Sequence, residues 1–321
     1  MNKFIGFLLA LSVFYGCSDD DDCNRCPTPD NLVSPTFSAT EVSSQSPVSG
    51  LLYVYPCNAN TSTFFGNYRG EPPTVQSAFG SYLLKNGNIA SGFGFPLLLP
   101  LGVYNMVYWV EGYTAEPAYP PAINDPQPEI GDDLTTQYLA LRLYTPSDTV
   151  YVPVYDYIFA QKEVNVGDDD LEVPMRRVVS GLKVIVQKYN ETALDDNIDS
   201  IQFFIGGVAE KLDLYTAEPV NLTKTVMLGL TMSTDRMSAS NNTAMLFPTV
   251  PTPPVTVMLT LKNGQKRYFH TKLTNNTSAN NKLTVTINIG AIFDSPSGNG
   301  FEVHNWTESQ ETINAGNIEP S

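Results

Sequence analysis

Histidine occurs only twice in these 321 residues, cysteine four times and tryptophan twice. That scarcity excludes most metal and nucleophilic chemistry. A structural zinc site takes about four Cys or His ligands, and His270 and His304 lie far along the chain from every cysteine. His270 sits in RYFHTKL, a strand pattern, and is expected as an exposed strand residue rather than a triad member. No G-x-S-x-G, H-E-x-x-H, Walker loop or dinucleotide fingerprint occurs. The chain is therefore expected to be no enzyme and to need no cofactor. Basic residues are also few: 18 Lys and Arg face 33 Asp and Glu, a net charge of -15. Nucleic-acid binding through phosphates needs basic patches and is excluded. Anionic lipid surfaces should repel such a chain. No segment reaches the roughly 20 apolar residues that cross a bilayer.

The one apolar run at the N-terminus is short. MNKFIGFLLALSVFYGC carries Lys3, then an apolar stretch from Phe4 to Phe14, then Gly16 and Cys17. A positive residue, a short apolar core and a small residue are the parts of a secretion signal. Gly16 before Cys17 resembles a bacterial lipobox, although Phe14 and Tyr15 replace the usual Leu and small residue. A lipobox implies cleavage after residue 16 and a lipid on Cys17. The other readings are a plain secretory signal or a buried first strand. Two or three acyl chains would hold the mature chain on a membrane without spanning it.

Cys17 is followed by Ser18, Asp19, Asp20, Asp21 and Asp22, four like charges that cannot be buried together. Residues 17–45 are polar and rich in Pro, Ser and Thr, which reads as a flexible tether. Export permits disulfides. Cys23, Cys26 and Cys57 can form one pair only, and the expected bridge joins Cys23 or Cys26 to Cys57.

Beyond the tether the apolar period is two. LLYVYP, GVYNMVYWV, VYDYIFAQKEVNV, MRRVVSGLKVIVQKYN and KLTVTINIG all read as strands. Both faces of GVYNMVYWV are apolar, so that strand is expected at a sheet centre. Asn86-Gly87 and Asn263-Gly264 are hairpin turns. DLTTQYLALRL is the one stretch where a helix competes. Strands about ten residues apart over such a length predict an all-β chain of two tandem β-sandwiches. The expected division is 1–16 signal, 17–45 tether, 46–172 first sandwich, 173–310 second sandwich and 311–321 tail, with the break at Asp168–Asp170 and Pro174.

Acidic clusters at Asp132-Asp133, Asp168–Asp170 and Asp195-Asp196-Asp199 read as solvated turns, since none has the glycine and terminal glutamate of an EF-hand loop. The 17 Tyr and 16 Phe alternate within strands, which favours core packing over carbohydrate stacking. Asp148-Thr149-Val150 and Asp199-Ser200-Ile201 resemble the D-[ST]-apolar acceptor of Bacteroidetes O-glycosylation, making Thr149 and Ser200 candidate sites.

Three features resemble one family. CSDDDD resembles the surface-export signal of Bacteroidetes lipoproteins. Residues 154–186 look like the domain junction of fimbrillin-like proteins, with Arg176 or Arg177 as the family arginine. Trp306 in FEVHNW falls where many members carry a late tryptophan. The chain is thus similar to the FimB-type fimbrial anchor lipoproteins of Bacteroidetes. The resemblance implies transthyretin-like (Greek-key) sandwiches and an outer-membrane, surface-exposed subunit of a fimbrium. It also implies partner subunits joined by strand complementation. Stalk and tip subunits lose an N-terminal segment to a protease. Arg25 is in the tether and Arg69 in a loop, so no cleavage site stands in a first strand, which favours the anchor. The alternatives are a glycan-binding lipoprotein of a polysaccharide-uptake system and a fimbrial stalk or tip adhesin. A β-sandwich hydrolase stands behind them.

Overall fold

The computed structural model of the chain describes residues 31–37, 48–113, 123–189, 192–290, 309–315 and 319–320. The fold is all-β: two β-sandwiches joined through one continuous apolar core.

The first sheet is built on β8 (Gly102–Gly112), the strand that is apolar on both faces. It lies at the centre, antiparallel to β2 (Gly50–Asn58) on one side and to β11 (Asp156–Val166) on the other. Beyond β2 come β5 (Gly80–Lys85) and β6 (Asn88–Phe95); beyond β11 comes the two-residue β12 (Arg176–Arg177). Between β5 and β6, Asn86 and Gly87 both take positive φ, 50° and 78°, as a type I′ turn requires.

One face of this sheet buries Leu52, Val54, Tyr108, Val110 and Ile158 under Leu97, Leu171, Val173 and Met175. Over it also lie β7 (Leu99–Pro100) and its antiparallel partner β1 (Leu32–Val33). A small ribbon of β3 (Asn67–Arg69) and β4 (Thr74–Gln76) lies alongside. The tether expected through residue 45 is therefore shorter. Val33 and Phe37 pack on this core, Phe37 meets Tyr82 edge-on at 4.8 Å, and Leu171 N donates to Thr36 O at 2.9 Å. Two apolar side chains are enough to draw the segment down.

The second sandwich has two layers. In one, β13 (Ser180–Lys188) runs parallel to β20 (Lys282–Ile289) and antiparallel to β16 (Ser238–Ser240) and β17 (Ala244–Leu246). Buried Asn241 fills the gap between those two short strands, accepting from Val184 N and donating to Leu182 O. In the other layer, β14 (Ile198–Asp213) lies between β15 (Pro219–Met232) and β18 (Pro254–Leu261), with β19 (Lys266–Lys272) beyond. The pairing of β15 with β16 joins the layers. Leu182, Val184 and Val186 of one layer meet Ile201, Phe203 and Val257 of the other in the core.

The chain crosses between the sandwiches more often than a single break at 172 allows. After a short 3-10 turn (Leu134–Thr136) capped by Asp133, β10 (Tyr138–Leu141) pairs with β14 and with β9 (Ile123–Asn124), inside the second sheet. DLTTQYLALRL is thus turn and strand, because Leu139 and Leu141 bury in the second core. β12 returns to the first sheet. A bulge after Ile205 lets β14 serve β18 with its first half and β10 with its second. Gly207 stands there at φ 68°, and a Cβ would lie 2.5 Å from Val250 Cγ2. At the other predicted hairpin only Gly264 is at positive φ, 84°. Gly264 N donates to Leu261 O at 2.8 Å, so this turn carries a glycine bulge rather than the type I′ form.

Candidate assembly site at the C-terminal seam

Strand edges are the chemistry this fold offers a partner, since an open edge presents unpaired N–H and C=O groups. The second sandwich is a single path of paired strands from β20 round to β19. Both ends of that path are covered by the last residues of the chain. β21 (Ser309–Ala315) lies parallel to β20, from Leu283↔Ser309 to Ile289↔Ala315. β22 (Glu319–Pro320) then pairs with Arg267 and Tyr268 of β19, on the other layer. The C-terminal tail, 311–321, thus carries most of β21 and all of β22. SQETINA has no apolar alternation to announce it, because its pairing is backbone to backbone. β20 itself is firmly held: Val285 and Ile287 are fully buried.

A second set of residues fixes the joint between the sandwiches. Trp109 of β8 is 1% exposed and its Nε1 donates to Leu214 O at 2.8 Å. Its ring lies 6.0 Å from Tyr157 and 5.0 Å from Phe159. Tyr215 O–H reaches Thr61 O at 3.2 Å and Asn105 Nδ2 reaches Tyr215 Oη at 3.3 Å, so the β14–β15 turn is tied to the first sheet. β12 adds both junction arginines. Arg177 makes a bidentate pair with Asp156, at 2.6 and 2.8 Å. Arg176 donates to Thr216 O across the joint and its guanidinium lies 5.4 Å from the Phe159 ring centre. The Asp156 carboxylate holds the Arg177 guanidinium above its usual range. Arg177→Ala leaves that carboxylate buried and unpaired, and should lower stability by about 2–3 kcal/mol. The shift of a urea unfolding midpoint measures it.

Cys57 belongs to the core. It forms no disulfide among the described residues, is fully buried opposite Phe64 in the shared core, and its Sγ lies 4.0 Å from Tyr55 O. Burial, with Asp133 nearby, pushes the thiol up to about 12. Its side chain faces the joint between the sandwiches; the other cysteines of the expected bridge, Cys23 and Cys26, lie outside the described residues. Cys17, Ser18, Asp19–Asp22, Cys23, Cys26, His304 and Trp306 lie outside the described residues.

The other singled-out residues are scattered. His270 is exposed on β19 with Nδ1 2.8 Å from Thr256 Oγ1. Arg69 is in β3, not a loop, where it donates to Phe79 O and covers the Phe95 ring at 4.5 Å. Thr149 lies exposed in the loop before β11, and Ser200 exposed on β14. The acidic clusters shape turns. Asp133 accepts from Ser62 Oγ, Thr135 N and Thr135 Oγ1, which hold its carboxyl below the usual range. Asp169 and Asp168 accept from Asn165, and Asp196 pairs with Arg236 at 3.2 Å. The described residues contain no cluster of three or more metal-ligating side chains.

Two β-sandwiches locked at a buried joint, with the chain's own terminal strand laid along β20, define an all-β two-sandwich protein. The chain belongs to the family of fimbrillin-A associated anchor proteins Mfa1 and Mfa2, whose model matches residues 24–312. It is similar to a solved candidate adhesin from Bacteroides ovatus, at 13% identity over 90% of this chain and 100% of that one, TM-score 0.48. It is also similar to a candidate cell adhesion protein from Bacteroides uniformis, at 15% identity over 82% and 94%, TM-score 0.44. The fimbrial anchor protein Mfa2 of Porphyromonas gingivalis matches at 12% identity over 76% and 82%, TM-score 0.43. No curated protein sequence matches the chain.

Proposed function

We propose that the chain is the membrane-tethered base of a fimbrium, held by lipid on Cys17 and joined to a neighbouring subunit by strand complementation. The observation that carries this is the seam. Among the described residues β21 pairs with one neighbour only, along the edge of β20, and residues 290–308 separate the two in sequence. Backbone pairing of this kind is transferable: a strand of another subunit satisfies the same N–H and C=O groups. In the assembled fimbrium β21 leaves its own edge and the edge takes a partner's strand. The acidic run Asp19–Asp22 serves as the export label, and the tether ends where Val33 and Phe37 dock. The burial of Trp109 at the joint counts against a sugar-binding reading, which would favour solvent-facing tryptophans.

Locking the strand tests the exchange. Thr286 and Thr312 are register partners, and neighbouring strands lie about 4.8 Å apart, within disulfide reach. The pair Thr286→Cys with Thr312→Cys should block attachment of fimbrial subunits when oxidised and restore it when reduced. Attachment that ignores the lock would remove strand exchange from the account.

A further inference from the structure

At the end of the shared face of the first sheet, beyond Trp109, lies a group of side chains that neither the seam nor the joint uses. Glu111 of β8 is directly opposite Tyr157 of β11. Tyr53, opposite Trp109 on β2, lies on the same face and hydrogen-bonds Glu111. Tyr155 meets Tyr157 edge-on at 6.1 Å. Asp125, just past β9, and Tyr113, 52% exposed, form the open side. Two carboxylates thus stand among four phenol rings.

The group is incomplete in three respects. Tyr157 is 1% exposed, yet among the described residues its hydroxyl has no hydrogen-bond partner. That hydroxyl feels Glu111, Asp125, Tyr155 and Tyr53 around it. Among the described residues no cation pairs with the carboxylates: Arg177 faces away to Asp156, Arg176 to Thr216 and Phe159, and Arg142 acts on Tyr155. Partial burial and the neighbouring Asp125 push Glu111 up to about 7, and partial burial raises Asp125 too. The described residues leave a compensating positive charge to be supplied.

We infer that Glu111, Asp125 and the surrounding tyrosines form a cage for an organic cation, the ammonium or guanidinium of a lysine or arginine presented by a partner protein. Aromatic faces attract such cations, more strongly where water is excluded. A hard metal ion fits less well. Calcium takes six to eight oxygen ligands, and two carboxylates with a rim of phenols do not supply them. The cage would give side-chain specificity to a contact that strand pairing, blind to sequence, cannot discriminate. It does not depend on strand exchange and fails separately.

The test titrates the purified full chain, followed by tyrosine fluorescence and NMR, with four probes: Nα-acetyl-lysine amide, Nα-acetyl-arginine amide, the uncharged norleucine analogue and calcium chloride. A saturable response to a cationic amino-acid probe and none to norleucine is expected. Glu111→Gln and Asp125→Asn should each weaken it by roughly tenfold, and Tyr157→Phe should weaken it less. Both carboxylate changes are near-isosteric and leave the joint untouched. An equal response to norleucine would make the site a plain apolar cleft. A response to calcium alone would make it a metal site. No response, or one that both carboxylate variants preserve, would place no cation there. Any of these outcomes overturns the cage.

Discussion

Trp109→Ala should cost about 3–5 kcal/mol of stability and split one unfolding transition into two. The apolar core runs without interruption from Tyr55, Trp109 and Phe159 of the first sheet to Val257 and Ile287 of the second sandwich. Such a chain should unfold as a unit, because neither sandwich can melt without exposing the other's inner face. Trp109 is the largest side chain in that joint and is all but fully buried. Its removal opens a cavity against Tyr157 and Phe159 and leaves Leu214 O without its donor. Trp109→Phe keeps most of the apolar contact and loses the hydrogen bond, so it should cost about 1–2 kcal/mol. Calorimetry of the three proteins checks the order. Two separate transitions in the unaltered chain would show that the sandwiches are coupled less tightly than the core implies.

Truncation after Gly290 should change the oligomeric state as well as the stability. It removes β21 from β20 and β22 from β19, so both ends of the sheet path are uncovered at once. The lost backbone hydrogen bonds contribute roughly 0.5–1.5 kcal/mol each, which predicts a loss of a few kcal/mol. The inner face of β20, with Val285 and Ile287, remains packed in the core, so the truncated chain should still fold. Open edges pair with whatever strand is offered. The truncated chain should form dimers and larger species by light scattering. A synthetic peptide of residues 305–321 should return it to a monomer. A truncated chain that stays monomeric and ignores the peptide would show that the seam is a covering rather than a socket.

Much of this was legible in the sequence, and the reasons for the gaps are physical. The period of two announced strands because apolar residues must alternate when one sheet face is buried. The two apolar faces of GVYNMVYWV placed β8 at the centre, and Asn86-Gly87 announced a turn that only positive φ allows. Pairings between distant segments carry no local mark. Nothing in YLAL says that it joins β14 rather than the first sheet; Leu139 and Leu141 decide that by where they bury. SQETINA is polar, so no apolar pattern marks β21. Sequence does not show which way a strand residue faces; the pleat turns Cys57 into the joint. Nothing in the sequence around Glu111 marks it out. Its environment comes from Tyr53 and Tyr157 on flanking strands, 58 and 46 residues away in sequence.

The anchoring claim turns on Cys17. The most direct measurement expresses the Cys17→Ala chain in fimbriated cells, separates membranes from medium, and follows both the chain and the fimbrial polymer. If lipid on Cys17 holds the base of the fimbrium, the chain should leave the membrane fraction. Assembled fimbriae should then appear in the medium, with the variant still bound at one end. A Cys17→Ala chain that stays with the membranes, its fimbriae still on the cell, would contradict the account.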